Sequence, residues 1–215
     1  MINIKLSVSI LSIKDNIKQN IEKLIKNNIN YIHLDIMDGE FVSNKTWNID
    51  EAINILPKSK LNLDVHLMVK DLEKYITDFS KLNPEYITFH LEATNEPEKI
   101  INLIKKYNIK AGISIKPNTD VNDLLPYLSL IDLVLVMSVE PGSGGQKFIP
   151  NSSQKIQQLY DYRMNKNYNF VIEVDGGVNN ETIDLCRNCD IVVVGSYITN
   201  NDYQDSIENL NLMQK

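Results

Sequence analysis

The sequence predicts a (β/α)₈ TIM barrel that forms a single domain over residues 1–215. Short β-branched runs alternate with longer amphipathic stretches along the chain, a pattern typical of parallel strands joined by right-handed helical crossovers. Eight such units give about 27 residues per unit, which is close to the minimum for this barrel. An open doubly wound sheet would carry a Gly-rich turn after its first strand, whereas residues 7–12 read Ser-Val-Ser-Ile-Leu-Ser.

The strands are predicted from short runs rich in β-branched residues, and the helices from apolar residues at i, i+3 and i+4. The predicted strands are Ile4–Ile10, Tyr31–Ile36, Leu61–Leu67, Tyr86–His90, Lys110–Ile115, Leu133–Met137, Phe170–Val174 and Ile191–Val194. The clearest helical stripes are Ile17, Ile21, Leu24 and Ile25, then Leu72, Tyr75, Ile76 and Phe79, then Ile100, Ile101 and Ile104. Each stripe lies between two strands, so its apolar face is expected to pack against the sheet.

The composition excludes several classes of protein. The chain has 28 acidic and 22 basic side chains and a net charge of -6, so a nucleic-acid-binding surface is not expected. No apolar run approaches the roughly 20 residues that a membrane-spanning helix needs, so no membrane partner is expected. With 43% hydrophobic residues and two cysteines, the chain is expected to be globular and cytoplasmic. We also expect it to form a homo-oligomer.

Ionisable and hydroxyl side chains lie inside several predicted strands, although a strand buried on both faces should be almost purely apolar. Side chains alternate along a strand, so residues two apart share a face. The pairs are His33 and Asp35, Asp64 and His66, Glu173 and Asp175, Ser7 and Ser9, and Thr88 and His90. A single His or Asp in such a place is more often a hydrogen-bonded structural residue, but several together favour a functional site.

Histidines and carboxylates at the ends of separate strands predict a metal site at the mouth of the barrel. The chain has three histidines, and all of them lie near the carboxyl ends of predicted strands. Two imidazoles and two carboxylates are suitable ligands for Zn²⁺, Mn²⁺, Fe²⁺ or Co²⁺, and the ligand types do not choose among these ions. We therefore expect one divalent metal ion per chain on His33, Asp35, His66 and Asp175.

Turns of small residues follow the last three predicted strands and predict a phosphate site. These turns lie in Glu140–Phe148, Gly176–Gly177 and Gly195–Ser196. Glycines let backbone N–H groups approach and wrap an anion, and barrel enzymes often bind phosphate in these loops. One Gly-rich turn is commonly just a flexible loop, but three in consecutive loops favour phosphate binding.

The sulfur-containing residues have simpler interpretations. Cys186 and Cys189 have the spacing of a redox or half-zinc motif, but the sequence has no second Cys pair, so we expect buried, inert thiols. Met37, Met68 and Met137 end or follow predicted strands. They could fill the core or line the reacting centre at the barrel mouth.

Several motifs in one order closely resemble the ribulose-phosphate 3-epimerase family, and the resemblance runs from Ser7 to Ser196. The motifs are Ser9–Ser12, His33–Gly39, Leu63–Met68, Met137–Gly142, Gly144–Phe148 and Glu173–Val178. The order of the motifs is far more specific than any one of them. Departures from the family pattern include Val8, Ser43 and Ser143, none of which is a proposed ligand or acid/base residue.

The resemblance implies an enzyme that interconverts D-ribulose 5-phosphate and D-xylulose 5-phosphate in the pentose phosphate pathway with a divalent metal. The family's metal ligands correspond to His33, Asp35, His66 and Asp175, and its acid/base residues correspond to Asp35 and Asp175. The residues that the resemblance places at the substrate are Ser9, His66, Met37, Met68, Met137, Gly142, Ser143, Gly144, Gly145, Gly176, Gly177, Gly195 and Ser196.

Inversion at C3 of this substrate removes a proton on one face and returns one on the other. Two carboxyl groups on opposite sides of the carbon can do this, one as base and one as acid. The intermediate is an enediolate whose negative charge lies on oxygen, and a metal ion can stabilise that charge. The chain could instead be a related decarboxylase or aldolase, although no Lys stands beside the proposed acids to form a Schiff base. It could also be a non-catalytic or divergent sugar-phosphate-binding barrel, but binding alone does not require both Asp35 and Asp175.

Overall fold

The chain folds into a closed barrel of eight parallel strands, seen in a computed structural model that describes residues 4–58 and 62–213. The strands are β1 (Lys5–Ser9), β2 (Tyr31–Met37), β3 (Leu63–Met68), β4 (Tyr86–His90), β5 (Lys110–Ile115), β6 (Leu133–Met137), β7 (Val171–Asp175) and β8 (Ile191–Val194). They follow one another around the barrel in sequence order, and β1 closes it against β8. The predicted (β/α)₈ barrel is therefore confirmed.

The observed strands begin and end close to the predicted bounds. Within the described residues, no strand differs from its prediction by more than about two residues at either end, which is the usual error of boundaries read from sequence. Leu61, the predicted start of the third strand, lies outside the described residues.

The helices lie between the strands and after the last one. They are α1 (Ile17–Lys26), α2 (Ile49–Ile55), α3 (Leu72–Phe79), α4 (Pro97–Lys106), α5 (Ser152–Lys166), α6 (Ser196–Thr199) and α7 (Tyr203–Met213). The three predicted apolar stripes lie in α1, α3 and α4. Among the residues that the structure describes, no helix has both the length and the apolar character needed to cross a membrane.

Two crossovers differ from a regular strand–helix alternation. The connections after β5 and β7 contain the 3₁₀ turns Val121–Leu124 and Ile183–Cys186 within their described residues. In each turn the buried residues are the first and the last, which are three positions apart. A 3₁₀ helix has three residues per turn, so this spacing places both residues on the face that packs against the barrel.

Side chains of β6 alternate between two apolar regions. Val134 and Val136 of β6 belong to the large cluster between the barrel and its helices. Leu133, Leu135 and Met137 of the same strand belong to a smaller cluster inside the barrel. This division follows from the period of two along a strand.

The amino end of the barrel is closed by one layer of buried side chains. The first residues of β2, β4, β6 and β8 are Tyr31, Tyr86, Leu133 and Ile191, and all four are buried in the interior cluster. Alternate strands contribute such layers of four in (β/α)₈ barrels. The polar side chains further along the strands therefore lie toward the carboxyl end, where the barrel is open.

The two cysteines are buried free thiols. Burial raises the pKa of Cys186 to about 12 and the pKa of Cys189 well above its usual value. A thiol with such a pKa is neutral and unreactive at ordinary pH, in agreement with the interpretation from the sequence.

Candidate active site

A cleft opens at the carboxyl end of the barrel. Its lining comes from β1, β2 and β6–β8, from the loops that follow β1, β6, β7 and β8, and from the last residue of β3. The lining residues are Ser9, Leu11, Ser12, Asp35, Met37, Met68, Met137, Val139, Glu140, Pro141, Gly142, Ser143, Gly144, Gly145, Gln146, Asp175, Gly176, Gly177, Val178, Val193, Gly195 and Ser196. In (β/α)₈ barrels, active sites lie at the carboxyl ends of the strands.

Most of the predicted site residues line this cleft. The two that do not are His33 and His66, which are completely buried beneath it. Both histidines nevertheless reach the cleft through Asp35, whose Oδ1 lies 3.4 Å from His33 Nε2 and 3.2 Å from His66 Nδ1. The structure thus brings all the predicted site residues together. The two histidines lie beneath the cleft, and the other residues line it.

Strand register explains why histidines and carboxylates meet here. Parallel pairing of β2 with β3 sets His33 beside Asp64 and Asp35 beside His66. Each imidazole therefore has a carboxylate on the neighbouring strand at its own level. Asp175 at the end of β7 completes the group, with its Oδ2 3.9 Å from His66 Nδ1.

The two carboxyl groups in the cleft have opposite pKa shifts. Burial by itself would raise the pKa of Asp35, but the charge of the neighbouring His33 and the hydrogen bond from His66 hold that pKa well below its usual range. Burial, together with the nearby Asp35 carboxylate, raises the pKa of Asp175 to about 6. Environments that push two such values apart are typical of acid/base pairs.

A buried carboxylate stands behind His33. The Nδ1 atom of His33 is 2.7 Å from Asp64 Oδ2, and the same oxygen accepts a hydrogen bond of 2.8 Å from the Ser7 hydroxyl. The other ring nitrogen, Nε2, is buried, and within the described residues it has no hydrogen-bond partner. The hydrogen bond to Asp64 therefore fixes which ring nitrogen faces Asp35.

Glu173 lies near Asp64 and is fully buried. Neither of its carboxyl oxygens has a hydrogen-bond partner among the described residues. Burial and the neighbouring Asp64 charge raise the pKa of Glu173 well above its usual value. Burial therefore favours the neutral carboxylic acid here, because an unpaired buried charge is costly.

A second histidine stands behind His66. His66 Nε2 is 2.9 Å from His90 Nε2, and His90 Nδ1 is 3.3 Å from Glu92 Oε2. Burial lowers the pKa of His90 to about 4, so its imidazole is neutral. Burial opposes ionisation of Glu92, but hydrogen bonds from His90 and Thr119 lower its pKa to about 2.

The donor atoms beneath the cleft fit a divalent cation. One donor atom from each of His33, Asp35, His66 and Asp175 lies within 4.8 Å of the others. In each imidazole, the nitrogen that faces Asp35 is the one opposite the buried hydrogen bond. His33 Nε2 has no hydrogen-bond partner among the described residues, and a cation could be bound by this nitrogen and by the carboxylates together once the nitrogens facing Asp35 have lost their protons. Nitrogen and oxygen ligands of this kind suit first-row divalent metals.

The predicted phosphate turns have backbone conformations that favour glycine. Gly142, Gly145, Gly176 and Gly177 have φ angles of 114°, 76°, 118° and 65°. Side chains are strained at such positive φ angles. A Cβ atom at Gly177 would also lie 2.3 Å from the backbone nitrogen of Phe148, so the turn after β7 packs directly against the loop after β6.

Side-chain hydrogen bonds hold the loop after β6 in place. Gln146 Nε2 donates to the carbonyl oxygens of Glu140 and Ser143, at 2.7 and 2.8 Å. Asn44, from the loop after β2, donates to the carbonyl oxygen of Gly142 at 2.7 Å. The loop is thus closed on itself and tied to its neighbour, which leaves its glycines beside the cleft.

Sequence reasoning missed several residues of the site. The lining also includes Leu11, Ser12, Val139, Glu140, Pro141, Gln146, Val178 and Val193. Most of these residues lie inside the motifs quoted for the family resemblance, so their place in those motifs could have identified them. Glu92 had no such signal, because its hydrogen bond to His90 depends on how the loop after β4 folds back.

Comparison with known proteins gives matches over nearly the whole chain. A family model described as the ribulose-phosphate 3 epimerase family matches residues 5–199. The ribulose-phosphate 3-epimerase of Methanocaldococcus jannaschii is 36% identical over 211 residues, covering 96% of this chain and 89% of that protein. The ribulose-phosphate 3-epimerase of Buchnera aphidicola subsp. Baizongia pistaciae is 37% identical over 220 residues, covering 96% of each.

Solved structures share the architecture at lower identity. KGPDC from Streptococcus mutans has a TM-score of 0.72 at 12% identity, covering 98% of this chain and 97% of that chain. Phosphoribosylanthranilate isomerase from Thermotoga maritima has a TM-score of 0.65 at 14% identity, covering 98% of each chain. At these identities the likeness shows the fold alone.

Proposed function

We propose a two-carboxylate mechanism for this chain on the premise that it belongs to the ribulose-phosphate 3-epimerase family and is an isomerase of that kind. In this mechanism the chain interconverts D-ribulose 5-phosphate and D-xylulose 5-phosphate, a step of the pentose phosphate pathway. Asp35 and Asp175 exchange the proton on C3, one as base and the other as acid, and they swap roles with direction.

The observation that carries this proposal is the meeting of two carboxyl groups from separate strands in one cleft. Asp35 lies on β2 and Asp175 on β7, with β1 and β8 between these strands around the barrel. A sugar bound in the cleft can therefore meet one carboxyl group on each side. Binding alone would not require this arrangement, which favours catalysis over a non-catalytic sugar-phosphate-binding barrel.

The neighbouring residues set the state of each carboxyl group. Ser9 donates to Asp35 Oδ2 at 2.7 Å and so orients this carboxylate within the cleft. The pKa of about 6 for Asp175 means that this group can carry a proton near neutral pH. Epimerisation at C3 starts with one carboxylate that can accept a proton and one carboxylic acid that can donate one.

We propose that His33, Asp35, His66 and Asp175 hold one divalent metal ion. When bound, the ion would supply positive charge beside the oxygens of the substrate, where negative charge develops as C3 loses its proton. Met37, Met68 and Met137 line the same part of the cleft, and their apolar side chains exclude water from the reacting carbon.

We propose that the turns after β6, β7 and β8 bind the phosphate group of the substrate. The backbone N–H groups around Gly142–Gly145, Gly176–Gly177 and Gly195–Ser196 supply the hydrogen bonds. Helix α6 begins at Ser196 but is only four residues long, so its dipole adds little. The binding energy of the phosphate fixes the position of C3 between the carboxyl groups.

A coupled assay tests the proposed reaction. Purified protein is supplied with D-ribulose 5-phosphate, and a second enzyme detects D-xylulose 5-phosphate. Steady turnover is expected. Saturable binding of D-ribulose 5-phosphate without turnover, in folded and metal-loaded protein, would identify a binding protein instead.

Removal of metal should abolish activity. We expect metal analysis of the purified protein to give about one divalent ion per chain, because the four candidate ligands form one group. Chelation should then reduce epimerisation to background, and Zn²⁺, Mn²⁺, Fe²⁺ or Co²⁺ should restore it to different degrees. Full activity in protein verified to be free of metal would contradict the proposed electrophile.

A further inference from the structure

A chain of hydrogen-bonded side chains runs from His66 away from the cleft. His66, His90 and Glu92 form this imidazole chain, with an Nε2–Nε2 distance of 2.9 Å and an Nδ1–Oε2 distance of 3.3 Å. Both imidazoles are fully buried. The imidazole chain lies on the side of His66 opposite Asp35, so His90 and Glu92 do not touch the cleft.

The far end of the imidazole chain is fixed by the loop after β5. Glu92 Oε1 accepts hydrogen bonds from the backbone N–H of Lys116, at 2.8 Å, and from the hydroxyl of Thr119. Lys155 Nζ in turn donates to the carbonyl oxygen of Lys116 at 3.0 Å, which holds the loop itself. The Glu92 carboxylate therefore has a defined position from which it can orient His90.

The position of His90 is also fixed by packing. The ring of Phe41 lies against it, with 4.9 Å between the ring centroids. The ammonium groups of Lys116 and Lys70 lie 4.2 and 5.4 Å from the centroid of the Phe41 ring. His90 is thus enclosed between Phe41 and the barrel interior and cannot readily turn away from His66.

The hydrogen bonds indicate which nitrogen atoms of the imidazole chain carry protons. An ionised carboxylate only accepts hydrogen bonds, so the His90 nitrogen that faces Glu92 carries the proton. The other nitrogen of neutral His90 is then an acceptor, and His66 Nε2 must be the donor to it. His66 Nδ1 is the nitrogen that faces Asp35, 3.2 Å from its Oδ1, so Nε2 can keep its proton when Nδ1 binds a cation.

We propose that His90 and Glu92 are positioning residues, which hold the His66 ring by its Nε2 so that its Nδ1 is turned toward the metal site. Asp64 holds His33 in a similar way, but by a direct contact with its Nδ1. For His66, the carboxylate is that of half-buried Glu92, and His90 lies between the two. This inference rests on the proposed function, because it assigns a role toward the proposed metal ion. Groups that orient metal-bound histidines typically change metal affinity by 10–100-fold when they are lost.

Two variants test the imidazole chain. His90→Phe keeps an aromatic ring against Phe41 but removes both hydrogen bonds, and we expect the dissociation constant for Zn²⁺ to rise by about 10–100-fold. Glu92→Gln keeps the shape at a half-buried position and should fold even if His90→Phe does not. Because the amide can still accept one hydrogen bond, we expect a rise of about tenfold, near the lower limit of that range.

Glu85→Gln is the matched control for the change at Glu92. Glu85 is also half-buried and hydrogen-bonded, to Lys110 Nζ at 2.9 Å, but it lies at the amino end of the barrel. We expect the dissociation constant of this variant for Zn²⁺ to stay within about twofold of the wild-type value, because among the described residues no hydrogen bond leads from Glu85 to His66.

Two readouts separate positioning from simple packing. The d–d absorption spectrum of Co²⁺-loaded protein should change in His90→Phe and Glu92→Gln, because the imidazole ligand is no longer held in one orientation. In metal-free protein, ¹⁵N NMR of the imidazoles should show His66 protonated on Nε2 in the wild type and mixed tautomers in the variants.

The outcomes distinguish this inference from the proposed function. If both variants fold and keep the wild-type Zn²⁺ affinity, Co²⁺ spectrum and His66 tautomer, the positioning role is wrong. If the wild type binds no metal, the proposed metal site fails. The tautomer of His66 in the metal-free protein then still decides whether His90 and Glu92 position it.

Discussion

We expect Asp175→Asn to lower the rate of epimerisation by roughly 10²–10⁴-fold, the range typical of losing a general acid or base. The substitution keeps the shape of the side chain but removes its ability to accept and return a proton. Asp175 is the better choice than Asp35 for this test. Asp35 lies 3.2–3.4 Å from both histidine ligand atoms, whereas the Asp175 carboxylate lies 3.9 Å from His66, so its loss should disturb metal binding less.

Exchange of the C3 proton with deuterated solvent separates the two halves of the reaction. Metal-loaded Asp175→Asn retains Asp35, which should still remove the C3 proton from one of the two epimers. That epimer is expected to exchange its C3 proton with solvent without inverting, whereas the other epimer should not exchange.

Asp71→Asn is the matched control for this experiment. Asp71 caps the amino end of α3, where its side chain accepts a hydrogen bond from the backbone N–H of Lys74. Asn is an equally good helix cap, so activity and stability should both be unchanged. Full epimerisation by metal-loaded Asp175→Asn would exclude Asp175 as an acid/base residue.

Gly177→Ala should raise the KM for D-ribulose 5-phosphate by about tenfold or more. A Cβ atom here would lie 2.3 Å from Phe148 N and 2.9 Å from the carbonyl oxygen of Gln146, and both atoms belong to the backbone of the loop after β6. The positive φ of 65° adds strain of about 1–2 kcal/mol for a residue with a side chain. Either the turn or the loop must move, and a displacement that costs about 1.4 kcal/mol of binding changes affinity tenfold.

Comparison of two substrates tests whether the change acts on phosphate. For unphosphorylated D-ribulose, which cannot use the phosphate turns, turnover should be poor in the wild type and no worse in Gly177→Ala. Inhibition by inorganic phosphate should weaken in the variant. An unchanged KM in a folded variant would show that these are plain turns.

Gly39→Ala controls for backbone strain alone. Gly39 has a φ of 83°, but the nearest atom to a Cβ there would be Lys45 Cβ at an ordinary contact distance of 3.9 Å. It carries the same kind of strain without the close contact and lies outside the cleft lining. We expect its KM to stay within about twofold of the wild-type value.

The sequence alone determined the strands and the faces of their side chains. The β-branched runs predicted the barrel, and the period of two predicted that His33 and Asp35 share a face. Both are local properties of the chain, and tertiary contacts do not change them. The crossover at Ile183–Cys186 had no clear helical stripe in the sequence, and the structure has a 3₁₀ turn there.

The candidate site was predicted as a set of residues but not as an arrangement. The sequence placed His66 and Asp175 at one end of the barrel, because the carboxyl ends of parallel strands lie together. It did not show that the imidazoles lie beneath the cleft while the carboxyl groups reach into it. It also did not show that Gly177 packs against the backbone of another loop.

Only the tertiary structure decided depth and hydrogen-bond partners. The period of two fixes which face a side chain lies on, but its level inside the barrel depends on the stagger between strands, which is set when the barrel closes. That stagger sets Asp64 beside His33, and Asp35 beside His66. The position of each proton on the imidazoles follows from those neighbours, so it is a property of the closed barrel and not of any one strand.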